Sequence, residues 1–391
     1  MSKIRVGFFA DDLGRQAMGT SLVLRRLIAA LHNNHSTELD LVLIHKSDVA
    51  PSVEFKAIPE VIIPKPNLRK FSGFFSYLWF FIVTPERFDI AHFPRPALHP
   101  FFWLLKFFGK TKQIIVTFHG APDHKEIPIF ETLFTKFNRL MISYWGKFWI
   151  NLAIADSEIA REQIIRYYKL NRKKTAVVYA GVDKACRPLN GEEKSEAQKK
   201  MQEEYGITSP YILCVSRLDP HKNVHRTIEA FAKAKRENNL PHQLVIVGAK
   251  HEPVYSALVL ETIKRLQAGA FVKIIPFVEE GDLPRVYAAA DLFIFVSLSE
   301  GFGLPLVEAM ASGVPTITSN LSCLPEIAGG AAELVDPYSI TDIAETIKKL
   351  ASVKKEVRDK MIRQGIARAE FFRWEKTGRE TSNLYNKSLK T

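Results

Sequence analysis

One rhythm constrains this chain more than any other feature. Short apolar runs alternate with segments of helical period along nearly all of its 391 residues, and the alternation stops only once, near the middle. In the first part the apolar runs are KIRVGFFA (3–10), LDLVLIH (39–45), FDIAHF (88–93), KQIIVTFH (112–119), NLAIADS (151–157) and TAVVYAG (175–181). Helical patterns lie between them, such as TSLVLRRLIAALHNN (20–34) and SEIAREQIIRYYKL (157–170), the second opened by Ser157 and Glu158, a good helix start. This alternation predicts a parallel sheet covered by helices.

From 184 to 210 the chain turns polar and is punctuated by Pro188, Gly191, Gly206 and Pro210, which predicts a connector carrying one amphipathic or solvated helix. The rhythm then restarts with YILCVS (211–216), QLVIVG (243–248), VKIIPFV (272–278), DLFIFVS (291–297), PTITS (315–319) and AELVD (332–336), with VHRTIEAFAKAKREN (224–238) among the helices between. A helical tail follows 339–353, with Phe371, Trp374 and Tyr385 as its candidate anchors across both halves. The expected fold is α/β, two Rossmann-like doubly wound domains facing each other across a cleft. The expected boundaries are 1–185, a linker at 186–209, 210–370, and a C-terminal helix, 371–391, crossing back. A length of 391 suits two domains.

Charge is uneven. Residues 1–190 carry 27 Lys+Arg against 16 Asp+Glu, and 28 of the 43 aromatic residues; the remainder carries 27 against 26. The segments 71–83, 100–110 and 137–150 set bulky apolar groups among or beside Lys and Arg. They read either as buried helices or as a basic, aromatic face resting on anionic lipid. The uncharged run 71–83 is too short to span a bilayer, which takes about 20 residues. The N-terminus reads as a first strand, not a signal peptide. Three isolated cysteines, Cys186, Cys214 and Cys323, fit a reducing compartment without disulfides. No basic tail, zinc-finger spacing or RNA-binding signature accompanies the net charge of +12, so nucleic acid is not the expected partner.

Ligands of open parallel sheets lie outside the carboxyl ends of the strands, and two motifs fall there. SEGFGLPLVEAMASG (299–313) follows the run 291–297. Gly301 and Gly303 permit unusual dihedrals, Pro305 suits a first helical turn, and Gly313 suits a C-terminal cap. A helix N-terminus reached through a glycine-kinked loop favours an anion such as a diphosphate. Glu308, one turn into that helix, either accepts hydrogen bonds from a vicinal diol such as a ribose or merely stabilises the helix start. Glu300 either meets sugar hydroxyls and developing positive charge or is a solvated loop acid. The second motif, VSRLDPHKN (215–223), places Arg217 and Lys222 on one strand-to-helix loop, where two cations match a leaving diphosphate or are ordinary surface charge. Asn223 or Asp219 is the candidate cap of the next helix.

SRLDPHKN, SEGFGLPLVEAMASGVPTITSN and LPEIAGGAAELVDP together resemble the nucleotide-sugar domain of glycosyltransferase family 4, retaining enzymes of the two-domain GT-B fold. The resemblance is strong over about 205–350 and weaker in the first half. It implies that Glu300 contacts the donor sugar, Glu308 the nucleotide ribose, and Arg217 and Lys222 the diphosphate. Backbone N–H groups of Phe302, Gly303 and Leu304 complete that cradle, with Gly301 a further substrate contact, and the base lies near Val247–Gly248 and Phe277–Val278. In the first half TFHG (117–120) resembles the stretch that carries the family's active-site histidine, which maps to His119. The loop DDLGRQAMGTS (11–21) departs from the family's paired glycines, with Gly14 and Gly19 separated and Met18 before Gly19. Gly19 is the expected contact near phosphate and acceptor. Asp11 and Asp12 are adjacent and point apart, so no metal is expected, and no cofactor beyond the nucleoside-diphosphate sugar. The wording of 299–320 resembles bacterial mannosyl- and rhamnosyltransferases, which makes GDP-mannose the expected donor. A lipid-linked sugar or growing polysaccharide, such as a lipopolysaccharide, is the expected acceptor at the inner face of the cytoplasmic membrane. A phosphorylase or epimerase of similar architecture, and a non-catalytic sugar-binding module, are the rival readings. The absence of G-x-G-x-x-G after the first strand, of a Walker lysine loop and of G-x-S-x-G sets aside dehydrogenase, ATPase and serine-hydrolase readings.

Overall fold

The computed structural model describes residues 3–14, 19–46, 55–63, 72–96, 101–120 and 140–390, without the side chains of 12, 14 and 72–75. Met18, the adjacent-carboxylate reading of Asp12 and the first three residues of 137–150 lie outside what is described. The chain divides into two compact units. One runs to Gly181 and resumes at Trp374; the other is Val182–Arg373.

The first unit is built on a parallel sheet of β1 (Ile4–Phe9), β2 (Leu39–Lys46), β3 (Glu60–Ile63), β4 (Phe88–Phe93), β5 (Thr111–Phe118), β6 (Leu152–Ala155) and β7 (Thr175–Val177), in the order β3-β2-β1-β4-β5-β6-β7. Val6 and Phe8 of β1 and Ile115 of β5 face one side, where helices Gly19–His35 and Trp374–Lys390 cover them. Phe9, Phe93, Ile114 and Val116 face the other, under helices Ser72–Val83, Phe102–Phe107 and Glu158–Tyr168. A sheet buried on both faces makes its strands near-continuous apolar runs, so the sequence marks six of these seven. The seventh, β3, has only four residues at the sheet edge and alternates exposed and covered positions. Ser157 caps its helix, accepting a hydrogen bond from Ala160 N at 3.0 Å.

The second unit holds β8 (Tyr211–Val215), β9 (Gln243–Val247), β10 (Val272–Ile275), β11 (Leu292–Phe295), β12 (Thr316–Ser319) and β13 (Glu333–Val335), ordered β10-β9-β8-β11-β12-β13 and parallel throughout. The chain winds outward from β8 through β9 to β10, then returns to β11 beside β8 and winds the other way. The β8/β11 seam is therefore the topological switch point, where a doubly wound sheet opens a crevice at its carboxyl edge.

Several expectations need correction. Residues 186–209 belong to the second unit, whose limit falls at Val182. Their helix, Gly191–Tyr205, opens with an Asn190/Glu193 capping box. It is held to the unit by buried Ala197 and Met201, and by Lys200 and Tyr205, which reach Asp282 at 2.6 and 3.0 Å. A separate helix, Lys355–Ala369, lies in the second unit; the C-terminal helix expected at 371–391 is Trp374–Lys390, which follows it and does join the first unit. Tyr385 is fully buried there, its hydroxyl 2.5 Å from His92 Nδ1. Phe371 is no anchor: it is 42% exposed, and its neighbour Phe372 is the buried ring, 5.4 Å from Phe302 in the second unit. Asn223 stands at the N-cap of its helix, but its side chain accepts no bond from the helix N–H groups. In a left-handed conformation (φ 58°), it donates its amide to Val296 O and Pro337 O at 3.1 and 2.7 Å, tying three loops together.

Candidate active site

The two loops that leave the switch point carry the charged groups. After β8 the chain passes Ser216, Arg217 and Asp219 and makes a 3-10 turn, Pro220–Lys222. After β11 it passes Ser297 and Glu300 and enters helix Leu304–Ala311 through Gly303. The loops are joined backbone to backbone, Leu298 N donating to His221 O at 2.7 Å. Gly303 holds φ 96°, a conformation that L side chains rarely adopt, so the backbone there requires glycine. Gly248, at the end of β9, is required by space instead: a Cβ would fall 1.9 Å from Ser216 O. That glycine lets the β8 and β9 loops lie against each other.

Lys222 and Glu300 meet. The ammonium is 2.6 Å from Glu300 Oε1, and their side chains are only 15% and 12% exposed. Ser297 Oγ donates to the same oxygen at 2.6 Å, and Lys222 also lies over the Phe295 ring, 5.3 Å from its centroid. The Glu300 backbone is pinned from β12's loop: its N–H donates to Ser322 Oγ at 3.0 Å, and Ser322 Oγ and Cys323 Sγ donate to its carbonyl at 2.9 and 3.2 Å. Cys323 also reaches Phe302 O at 3.3 Å. Phe302 itself is buried on Phe372, so only its backbone can face a ligand.

Glu308 stands one turn into the helix. Tyr287 OH donates to its Oε2 at 2.8 Å. Burial, with the neighbouring Glu308 charge, pushes the Tyr287 hydroxyl well above its ordinary pKa, so it remains a donor. Arg217 Nη2 is 3.1 Å from Asp219 Oδ2. His221, between the two cations in sequence, is held neutral below its ordinary pKa, first by burial and then by Lys222. Val278 is buried and Phe277 is 62% exposed, at the carboxyl side of β10.

Arg217, Lys222, Glu300, Gly301, Phe302, Gly303, Leu304 and Glu308 thus gather at one sheet edge, with Gly248 and Val278 beyond neighbouring strands of the same sheet. His119 and Gly19 lie in the first unit. His119 follows β5, and its Nδ1 is 2.7 Å from the largely buried Asp156 carboxylate that follows β6. Gly19 opens its helix at an exposed position where a Cβ would meet nothing within 4 Å. Asp11 is engaged by Lys46, whose N and Nζ lie 3.0 and 3.2 Å from its two oxygens. Among the described residues no group of three or more His, Cys, Asp or Glu is placed to hold a metal ion.

Sequence reasoning missed Ser297, Ser322, Cys323 and Tyr287. The serines and the cysteine stand in strand-to-helix loops, where short side chains that bond backbone are a usable signal. Tyr287 sits within a helix and gives none.

The family model described as Glycosyl transferases group 1 matches residues 191–368, and that described as Glycosyltransferase Family 4 matches 18–185. Among relatives, O-antigen chain mannosyltransferase B of Escherichia coli is 28% identical over 235 residues, 60% of each chain. The MMP alpha-(1->4)-mannosyltransferase of Mycolicibacterium hassiacum is 30% identical over 196 residues, 49% of this chain and 46% of that protein. The chain thus matches less than two thirds of the length of these curated relatives. Among solved structures, Anabaena Alr3699/HepE in complex with UDP and glucose has the same fold, with TM-score 0.79 at 18% identity over 98% of this chain and 100% of that one. With both halves matched by family models and both sheets doubly wound, the chain belongs to glycosyltransferase family 4, built on the GT-B architecture.

Proposed function

We propose that this protein is a retaining, metal-independent hexosyltransferase that moves a sugar, mannose in the first instance, from a nucleoside diphosphate to a glycan or lipid-linked glycan. One observation carries the reading: the two loops that leave β8 and β11, and the helix N-terminus that follows, bear two cations and two carboxylates, with Lys222 and Glu300 in direct contact. Arg217 and Lys222, with the backbone N–H groups of residues 302–304, take the diphosphate. Glu308, steadied by Tyr287, takes the ribose diol. The base lies beside Gly248 and Val278, and His119 contributes a ring nitrogen to sugar recognition.

Breaking the sugar–phosphate bond leaves negative charge on the diphosphate and positive charge on the sugar. Preorganised donors aimed at developing charge commonly contribute more to such catalysis than any other effect. Two side-chain cations and a helix dipole supply that charge, and Glu300 answers the positive carbon. With no covalent nucleophile assigned, attack comes from the face the diphosphate leaves, and the departing phosphate takes the acceptor's proton. Mannose is favoured by the names of relatives, O-antigen chain and MMP mannosyltransferases.

The acceptor is proposed to be membrane-borne. On the face of the first unit covered by helices Ser72–Val83 and Phe102–Phe107 and by 140–149, Trp79, Phe107, Tyr144, Trp145 and Phe148 are 44–74% exposed. Lys147 and Lys169 stand over the Phe148 and Tyr144 rings. The helices of the opposite face, Gly19–His35 and Trp374–Lys390, expose no large apolar side chain among the described residues. No described helix is long and apolar enough to cross a membrane. Aromatic rings with basic neighbours suit an anionic interface.

The deciding experiment screens GDP- and UDP-sugars for donor hydrolysis and transfer, then reads the product anomer by NMR. Retained configuration with GDP-mannose supports the reading. Isomerised donor, phosphate-dependent cleavage or no turnover overturns it. Flotation with anionic liposomes at low salt tests the membrane face, which fails if the protein stays at the bottom.

A further inference from the structure

Asp219 has no place in the donor contacts above, and it is one of the more heavily engaged acids of the second unit. It is 5% exposed. One oxygen, Oδ2, lies 3.1 Å from Arg217 Nη2, an ionic contact without the alignment of a hydrogen bond. The other, Oδ1, lies 2.6 Å from His251 Nδ1. A carboxylate only accepts, so His251 Nδ1 is the donor. The Asp219 backbone is fixed in the same turn, its N–H donating to Arg217 O at 2.9 Å and its carbonyl accepting from Lys222 N at 3.0 Å. His251 comes from the loop after β9, just ahead of helix Pro253–Arg265. A single buried carboxylate therefore joins the guanidinium of its own loop to an imidazole of the neighbouring strand's loop.

Electrostatics alone argues against placing an acid there. A negative charge beside an arginine that is to grip a diphosphate repels the ligand and neutralises part of the cation. Geometry argues for it. An arginine side chain has large rotamer freedom, and a guanidinium held at one nitrogen keeps its remaining N–H donors in a fixed plane. We propose that Asp219 is a positioning residue: it holds Arg217 so that its free edge faces the diphosphate, and His251 anchors the carboxylate from its other oxygen. The inference rests on the donor-binding reading of Arg217 above.

The two effects have opposite signs, which makes the test decisive. If Asp219 matters only as a charge, Asp219→Asn tightens GDP and inorganic pyrophosphate binding by calorimetry and leaves transfer intact. If it positions Arg217, Asp219→Asn lowers kcat/KM and the GDP affinity by about tenfold, the range expected for directly coupled neighbours. In that case it has no further effect in an Arg217→Ala background. A readout free of ligand accompanies it: 15N relaxation of the Arg217 side chain, ordered in the wild-type protein and mobile in Asp219→Asn. His251→Ala, at a half-exposed site that spares the fold, moves both readouts in the same direction by a smaller factor. An Arg217 that stays ordered in Asp219→Asn, tighter binding, or an undiminished effect on the Arg217→Ala background overturns the proposal while the donor reading stands. If wild-type protein binds neither GDP, UDP nor pyrophosphate, the donor reading falls, whatever the relaxation shows, and the positioning role falls with it.

Discussion

The ammonium of Lys222 and the carboxylate of Glu300, assigned to opposite ends of the donor, are bonded to each other at 2.6 Å in a largely buried setting. Each is the other's counter-ion until a diphosphate arrives. On the proposed reading, binding would offer Lys222 a second anionic partner and free Glu300 for the sugar; Ser297 Oγ already donates to the same Oε1. The pair keeps both charges compensated at a site that must hold them in place before any substrate is present.

Removing one member should therefore damage stability as well as chemistry. Lys222→Ala leaves the Glu300 carboxylate short of a cation in a site where breaking a buried pair costs roughly 3–5 kcal/mol. The expected outcome is a lower Tm together with a fall in turnover on the order of 10²–10³. The double variant Lys222→Ala/Glu300→Ala regains most of the Tm and none of the activity. Differential scanning calorimetry and a transfer assay on the three proteins check this. Recovery of activity in the double variant would remove both residues from the chemistry.

Tyr287→Phe separates affinity from turnover. If Glu308 binds the ribose, as proposed, it does so in ground and transition state alike, so loss of the hydroxyl's bond to it should raise KM for the donor and leave kcat nearly unchanged. A lost buried hydrogen bond to a charged partner corresponds to about a tenfold rise in KM. A fall in kcat with KM fixed would mean that Glu308 serves the reacting centre instead.

The glycines sort by space. Gly248→Ala forces a methyl to within 1.9 Å of the Ser216 carbonyl, and only backbone movement relieves it. The expected result is a loss of more than about 2 kcal/mol in stability and of donor binding, read by urea unfolding and GDP titration. Gly19→Ala adds a methyl to open space in a helix and should change stability by less than about 1 kcal/mol. A severe Gly19→Ala phenotype would show that the position meets substrate.

The alternation that predicted two doubly wound sheets was legible because buried parallel strands must be apolar on both faces, and the loops bearing Arg217, Lys222, Glu300 and Glu308 were legible because they follow such strands directly. What was hidden depends on contacts the chain makes only after folding. Tyr287 reaches Glu308 across 21 residues, and Ser322 reaches the Glu300 backbone across 22. Asn223 has a capping residue's identity, yet its left-handed backbone turns the amide toward two other loops. Phe371 and Phe372 are indistinguishable in sequence, and only the path of the turn between the last two helices decides which ring is buried. The edge strand β3 gave too short and too mixed a pattern to be read.

His92 predicts an acid-sensitive first unit. It is fully buried between the Tyr385 hydroxyl, which belongs to the last helix, and Thr117 Oγ1, at 2.5 and 2.8 Å. Burial, reinforced by the nearby His119, lowers its pKa to about 3. The unfolded chain binds a proton at this histidine near pH 6.5, and the folded chain does so only far below that. Between these values the unfolded state carries more protons, so stability is full above about pH 6.5 and falls as the pH drops toward 3. The slope approaches roughly 1.4 kcal/mol per pH unit once the unfolded histidine is protonated. Thermal unfolding from pH 7.5 to 5 should show this loss in the transition that carries the last helix. His92→Gln, which keeps a donor and an acceptor but cannot titrate, should flatten the profile. A wild-type profile already flat over that range would mean that His92 takes up its proton as readily in the folded protein as in the unfolded chain.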